Sequence, residues 1–276
     1  MALDPLWVSL LIKIIATASV VVAASIVAEK AGPFWGALIA CLPVAAGPAY
    51  VLLALDADAP FIRSSALAGV AGNAATGLFI LVLHLSASRR GFMVSLSAAI
   101  AAWLAAILCI RAAGPWQAIG GVLLNILVYG GALRLARSEA VVVGSAAAAR
   151  WFELPLRALT VGLLVAGTVT ISHAIGPGAT GLAVAFPISM TSLSIVLHRR
   201  LGGQAVAQVM ANSLKAMPGL GLALLTLAAA AEGFGVPLAL LLALTVSLGW
   251  SFGLMALRAR SHRVAALTAD GVTSRS

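Results

Sequence analysis

The sequence predicts an all-α polytopic membrane protein that crosses the bilayer about nine times. Hydrophobic residues make up 62% of the 276 residues and charged residues only 9%, whereas about a quarter of the residues of a soluble domain are charged. Apolar runs of about 20 residues, the length of a bilayer-crossing helix, recur along most of the chain. These runs are too long for barrel strands and lack strict alternation, so a helical bundle is predicted.

Each predicted helix ends at a charged or turn-forming segment. The first five end at EKAGP, LDADAP, SASRRG, RAAGPW and RLARSE. The next four end at ISHAIGP, LHRRLGG, AEGFG and ALRARSHR, and a polar tail with no predicted regular structure follows. The resulting spans are approximately 6–28, 33–55, 61–84, 91–110, 115–133, 154–174, 177–197, 204–230 and 236–257.

The loop charges predict the orientation of the chain. Because Lys and Arg concentrate on the cytoplasmic side, the amino terminus is expected outside and the carboxy terminus in the cytoplasm, which requires an odd number of crossings. The Ala-rich composition is typical of a bacterial inner-membrane protein, which is the expected location. The basic side has Lys30, Arg89, Arg90, Arg134, Arg137, Arg150, Arg157, Arg199, Arg200, Arg258, Arg260 and Arg263, and the other side has Asp4, Asp56, Asp58 and Glu232 with Lys13, Arg63 and Arg111.

The net charge of +9 is explained by this orientation and by contacts with lipid headgroups. Membrane lipids are therefore expected partners, nucleic acid is not, and a homo-oligomer is left open.

A shift of about 144 residues places the two halves of the chain in register without a gap. It aligns glycines, prolines and a leucine, and with a small further shift Trp103 meets Trp250, both of which are expected to pack. The pattern predicts repeat 1 of four helices (1–111), a connecting helix (112–135), a cytoplasmic connector (136–153), repeat 2 of four helices (154–258) and a cytoplasmic tail (259–276). The aligned pairs are Gly32 with Gly176, Pro33 with Pro177, Leu38 with Leu182, Pro43 with Pro187 and Gly77 with Gly221.

The single connecting helix predicts that the second repeat is inverted, because it adds one crossing between the copies. The loops agree: acidic LDADAP in the first copy corresponds to basic LHRRLGG in the second. Inverted repeats are typical of secondary transporters, in which two related packings give outward-open and inward-open states.

The repeated Gly-Pro and Pro pattern predicts broken helices at a solute site. Pro43 and Pro187 lie about eleven residues after Gly32 and Gly176, and a proline removes a backbone donor and frees a carbonyl. Broken backbone within a membrane must pack against protein or line a cavity, and Ser189 and Ser192 follow the second break. The alternative interpretation is that the prolines only kink helices for packing.

Lys215 is the most unusual single residue, because a charge far from either end of a span should face the bundle interior or water. Gln208, Asn212, Lys215 and Gly219 are spaced to share one helix face. A second polar stripe, Ser65, Gly69, Gly72, Asn73 and Thr76, lies in the third span. The alternatives are that Lys215 extends its ammonium toward the membrane surface and that Asn73 joins neighbouring helices.

All acidic residues are predicted in loops, at span ends or in the tail, so no midplane carboxylate is expected to bind a cation. The histidines are too scattered for a metal site, and no nucleophile motif or phosphate-binding loop occurs, so neither an enzyme nor a cofactor is expected. The sequence therefore favours a secondary transporter, a carrier or exporter, of a small organic, anionic or zwitterionic solute. The alternatives are a non-catalytic structural or accessory membrane subunit and a lipid or polyprenyl-phosphate transporter.

Overall fold

A computed structural model describes residues 5–30, 45–136 and 153–273, and within these residues every regular element is a helix. The predicted site residues Gly32 and Pro43, and most of the predicted connector 136–153, lie outside the described residues. The helices are α1 (Pro5–Lys30), α2 (Ala46–Asp56), α3 (Ala59–Ser86), α4 (Phe92–Ala112), α5 (Ala118–Leu135), α6 (Glu153–Val184), α7 (Ile188–Ala216), α8 (Pro218–Phe234) and α9 (Val236–Thr273).

The helices have the length and composition of membrane-spanning segments. Five stretches of the described residues are long and apolar enough to cross a bilayer. The fourth of them covers the sixth, seventh and eighth predicted spans, and its helices are interrupted within it. The stretches are Ala59–Ser86, Phe92–Ala112, Ala118–Leu135, Ala158–Phe234 and Val236–Leu257.

Helix α3 lies at the centre of the bundle, in contact with α4, α5, α6, α7 and α8. Its small residues allow this burial. A side chain at Gly72 would overlap Ala185, and one at Gly69 would overlap the Tyr50 hydroxyl, so neighbouring segments approach the α3 backbone closely. The most apolar window of α3 is 83% buried, against 17% for α5. The central position of α3 is a packing result, because both helices are apolar enough to face lipid.

Two glycines and two prolines interrupt the helices of the second half. Gly176 within α6 and Gly202 within α7 have φ values of 78° and 79°, the left-handed region that glycine adopts most readily. Helix α6 ends at Val184 and α7 begins after Pro187, while α8 begins at Pro218, one residue after Met217. The breaks coincide with prolines, which lack the N–H that the next helical hydrogen bond needs, and with glycines, which can adopt a positive φ.

Ion pairs join residues that the loop charges assign to the same membrane side. Lys13 of α1 lies 2.6 Å from Asp56 at the end of α2. Arg63 at the start of α3 lies 3.5 Å from Glu232 near the end of α8. These pairs place the end of α2, the start of α3 and the end of α8 together at one end of the bundle, and Lys13 reaches this end from the third turn of α1.

Two boundaries differ from the sequence prediction. The segment after Arg258, predicted as an unstructured tail, continues α9 to Thr273, because its Ala, Leu and Arg residues favour helix. The span predicted over 204–230 is two helices, since α7 ends at Ala216 and α8 begins at Pro218. The predicted four-residue stripe crosses this break, but Met217 keeps helical φ and ψ values of −61° and −30°. Trp250 packs on Gly219 and bonds the Lys215 carbonyl.

Candidate functional site

The interruption between α6 and α7, which we call the first break (Ala185–Pro187), is bonded to the central helix. The Thr76 hydroxyl of α3 donates to the carbonyl of Ala185 at 2.7 Å. The Gly72 backbone packs against Ala185 and Leu182, where a side chain would not fit. Gly72 and Thr76, both in the predicted α3 stripe, thus position the backbone next to Pro187.

The backbone of the first break turns tightly before the next helix starts. The amide of Phe186 donates to Ala183 at 3.0 Å, and the amide of Ile188 donates to Phe186 at 2.8 Å. Ser189 is half-buried in the first turn of α7, and the Ser192 hydroxyl donates to the Ser189 carbonyl at 3.1 Å. The Thr191 amide donates to the Pro187 carbonyl at 2.9 Å. The amides of Ser189 and Met190 are therefore the free donors of this turn, since the first amides of a helix have no intrahelical acceptor.

Two buried polar side-chain atoms beside the first break have no hydrogen-bond partner among the described residues: the Ser189 hydroxyl and the indole nitrogen of Trp103. Trp103 of α4 is 6% exposed. Its ring contacts the Phe186 ring edge to face, with 4.9 Å between the centroids. Buried polar atoms are normally bonded, so each such atom requires a physical explanation.

The second break (Met217–Pro218) is bonded to α3 by a different residue. The Asn73 amide nitrogen donates to the Met217 carbonyl at 3.3 Å and to the Asn125 side-chain oxygen at 2.9 Å. Asn125 in turn donates to two carbonyl oxygens, of Val70 and Gly121. Asn73 is fully buried, and its side-chain oxygen has no partner in the described part of the chain.

Asn73 and Thr76 therefore contact separate breaks from positions three residues apart on one helix. Such residues are neighbours on the helix surface. Thr76 bonds the first break and Asn73 the second. The structure thus links four predicted features, the two α3 residues, Pro187 and the region of Lys215, although no direct side-chain contact joins Lys215 to Asn73 or Thr76.

Lys215 lies in the last turn of α7, where a cation interacts favourably with the carbonyl end of a helix. The residue is half-buried, and no carboxylate of the described residues pairs with its ammonium. Its carbonyl accepts from the indole nitrogen of Trp250 at 3.1 Å. Gln208 and Asn212, also half-buried on α7, both have interactions of their own.

Gly176 lines a cavity of about 570 Å³ with Pro177, Ser64, Trp116 and Arg111. This cavity lies at the other end of the helical segment 177–184, which is about 12 Å long at 1.5 Å per residue. Gly176 is therefore separate from the cluster around Thr76 and the first break. The cavity is a candidate entrance, because it combines an exposed guanidinium with the amino end of that segment.

A second cavity, of about 460 Å³, lies between α2, α8 and α9. Its lining is almost entirely apolar and includes Val51, Leu241 and Leu244, whose exposed fractions of 50%, 61% and 46% show that it opens at the side of the bundle. The described residues of the lining include no basic residue, whereas a basic groove is expected for a phospholipid or polyprenyl-phosphate transporter.

The described residues contain no group of three His, Cys, Asp or Glu side chains that could hold a metal ion. No protein-family model matches this chain, and neither a curated protein nor a solved structure is significantly similar to it. The site is therefore argued from its own geometry.

Three residues of the site were missed or given mainly a structural role by the sequence. Asn125, like Asn73, was interpreted as joining helices with ligand binding as the alternative, Trp103 was expected to pack, and Tyr129, whose hydroxyl donates to the Asn73 carbonyl at 2.9 Å, was not considered. The alignment of Trp103 with Trp250 was the only available signal for Trp103. Nothing in the sequence indicated that one indole would be bonded and the other unpaired.

Proposed function

We propose that this protein is a secondary transporter that moves a small organic, anionic or zwitterionic solute by alternating access, with its solute site at the first break. The observation on which this rests is the pair of buried interruptions, each bonded by a single side chain to the same unbroken helix. Broken helices inside a membrane protein typically surround a transported solute, because their free backbone groups can bind it.

The proposal includes two inverted repeats. Asn73 and Met217, which share a hydrogen bond, are 144 residues apart, the shift that aligns the two halves of the sequence. Equivalent elements also pack together, α1 on α6 and α3 on α8. Contact between equivalent residues is expected close to a two-fold axis, where a surface meets its own copy. These contacts support a pseudo-two-fold axis passing near Asn73.

In this mechanism α3 is the fixed element and the interrupted segments move. Gly176 and Gly202 are backbone positions at which the segments on either side can reorient, because glycine accepts a wide range of φ and ψ. Movement at the first break requires the Thr76 bond to Ala185 to exchange or to move with it. Rocking of one repeat against the other would open the site alternately to each side.

The proposed solute class follows from the charges near the breaks. No carboxylate of the described residues forms an ion pair with Lys215, and the first turn of α7 presents free amides at the positive end of the helix dipole. An anionic or zwitterionic group is therefore favoured there over an inorganic cation. The open side of the apolar cavity supports lipid handling as a second candidate, although its lining lacks a basic residue.

The inversion is tested by labelling single cysteines from outside intact cells, after Cys41 and Cys109 are replaced. Suitable positions are Pro60 and Leu201, which are exposed and avoid both the Asp58 cap of α3 and the left-handed Gly202. The expected result is that a cysteine at position 60 is labelled and one at 201 is protected. Labelling of both from one side would contradict inverted repeats.

Transport is tested with the purified full chain in proteoliposomes, by uptake of labelled leucine, benzoate and rubidium. Uptake of a carboxylate-bearing solute above that of empty liposomes, without rubidium uptake, is expected. Rubidium uptake alone would contradict the proposed solute class. No uptake of any probe, together with same-side labelling, would favour an accessory subunit.

A further inference from the structure

The two tryptophans that align between the halves of the chain have opposite hydrogen-bonding states. Trp250 donates its indole N–H to the Lys215 carbonyl and packs on Gly219, so its hydrogen-bonding group is satisfied within the fold. Trp103 is more deeply buried than Trp250 but has no acceptor for its N–H among the described residues. A buried tryptophan normally finds an acceptor, because losing the hydrogen bond to water costs free energy.

The unpaired indole borders the first break. The Trp103 ring contacts Phe186, and Ser189, whose buried hydroxyl is also unpaired, is three residues further along. The Ser189 and Met190 amides add two donors, because the other first-turn amides of α7, those of Ile188 and Thr191, already bond Phe186 and Pro187. The first break therefore combines an indole N–H, a hydroxyl and the positive end of a helix, all of which favour a hydrogen-bond acceptor with negative charge.

We infer that Trp103 and Ser189 bind the carboxylate of an organic acid with an apolar body. This inference deepens the proposed function and rests on it. Ser189 supplies an O–H donor and Trp103 an N–H donor to the carboxylate oxygens. Neither atom is accessible to solvent in this structure, so the site is closed here, as an alternating-access site is between its two open states.

The apolar body follows from the side chains that pack with Trp103. Leu182, Met210 and Leu214 belong to the same buried cluster, and Phe186 and Met190 pack against it. Methionine side chains adapt to irregular apolar shapes. A cluster of aliphatic, thioether and aromatic groups beside the donors fits a carboxylate attached to a hydrocarbon or an aromatic ring better than a small hydrophilic acid.

Equilibrium binding tests the inference without requiring transport. The detergent-purified full chain is heated with benzoate, benzyl alcohol or benzylamine, and the shift in melting temperature is measured as a function of ligand concentration. Benzoate is expected to raise the melting temperature more than either analogue. Trp103→Phe and Ser189→Ala are each expected to weaken benzoate binding by about tenfold or more, the loss expected for one hydrogen bond to a charged group.

Trp250→Phe is the matched control. It removes a hydrogen bond already made within the fold, so it should lower the melting temperature without ligand more than Trp103→Phe does, while benzoate affinity stays unchanged. Equal loss of unliganded stability in the two variants, with unchanged benzoate affinity in Trp103→Phe and Ser189→Ala, would show that Trp103 only packs.

The remaining outcomes separate this inference from the proposed function. Equal shifts with benzoate and benzyl alcohol, or no shift with benzoate, would overturn the carboxylate assignment even if leucine uptake persists. Benzoate binding that depends on Trp103 and Ser189, without flux of any probe in proteoliposomes, would support the site and overturn transport.

Discussion

Helix α3 and the stretch 203–234 have similar apolar composition and pack against each other, yet only one of them is continuous. Helix α3 runs for 28 residues without a break, while its partner is divided at Met217 and Pro218 into α7 and α8. Shifting α3 by 144 residues places Ala74 opposite Pro218 and Asn73 opposite Met217. One alanine-to-proline difference at matching positions thus accompanies the interruption of the hydrogen-bond pattern, although Met217 keeps helical φ and ψ values of −61° and −30°.

Two stretches of similar apolar composition can thus form a continuous helix in one half of the chain and an interrupted helix in the other. A proline in a helix interior removes a backbone hydrogen bond and clashes with the preceding turn. At the second break the Met217 carbonyl accepts from the Leu220 amide and from Asn73 of α3. Asn73 therefore ties the two helices together at a carbonyl that helix amides also reach, while the carbonyl that loses its donor to Pro218 is that of Leu214.

Introducing a proline into α3 at the position that matches Pro218 should have the largest effect on stability. Ala74→Pro places a proline in a helix interior that is 1% exposed at this position, and we expect a loss of about 3 kcal/mol or more of stability. Expression of folded protein and thermal unfolding in detergent measure it. The control is Ala229→Pro, at an exposed position of α8. This substitution has the same backbone penalty at a position that is not buried. An α3 proline that costs no more than this control would show that α3 is not the rigid element.

Removing the amide that joins the two helices should have the next largest effect. Asn73→Ala deletes bonds to Met217 and Asn125 and leaves a space beside Gly221, so we expect a loss of about 2 kcal/mol. A double-mutant cycle with Asn125→Ala measures the coupling between the two side chains. Additive losses in the cycle would contradict a shared network.

Replacing the proline of the second break by alanine, the residue at the matching position of α3, should change stability less. Pro218→Ala restores an N–H that can bond to the Leu214 carbonyl, so we expect a stability change within about 1 kcal/mol, in the stabilising direction. Under the proposed mechanism a helix with this bond restored should slow solute uptake in proteoliposomes. Unchanged uptake would show that this break is not part of the moving region. Pro115→Ala, in the loop before α5, is the matched proline control.

Lys215→Ala should have the smallest effect on stability. The side chain is half-buried and forms no ion pair with a described carboxylate, so we expect a change below about 0.5 kcal/mol, mainly from the lost interaction with the end of α7. We nevertheless expect uptake to be lost while expression is retained, and Lys215→Arg to preserve part of it. An unchanged uptake rate would remove Lys215 from the site.

The sequence anticipated the broken helices better than the site around them. Pro187 and Gly176 were located by their spacing, and both are at interruptions in the structure. The four-residue stripe that includes Gly219 crosses the break at Met217, where φ and ψ stay helical, so its shared face stays a prediction. The partners of Asn73 and Thr76 could not be predicted, since both are backbone carbonyls more than a hundred residues away.

By itself the sequence determined the class of protein, because apolar run length and the scarcity of charge leave membrane-spanning helices as the only stable arrangement. It also located the interruptions at Gly176 and Pro187, because proline and glycine act through local backbone geometry. Only the tertiary structure decided that α3 is central, that its Asn73 and Thr76 hold separate breaks, and that Trp103 is unpaired while Trp250 is bonded. Those features depend on which surfaces meet, and close packing between distant segments is not encoded in any local pattern.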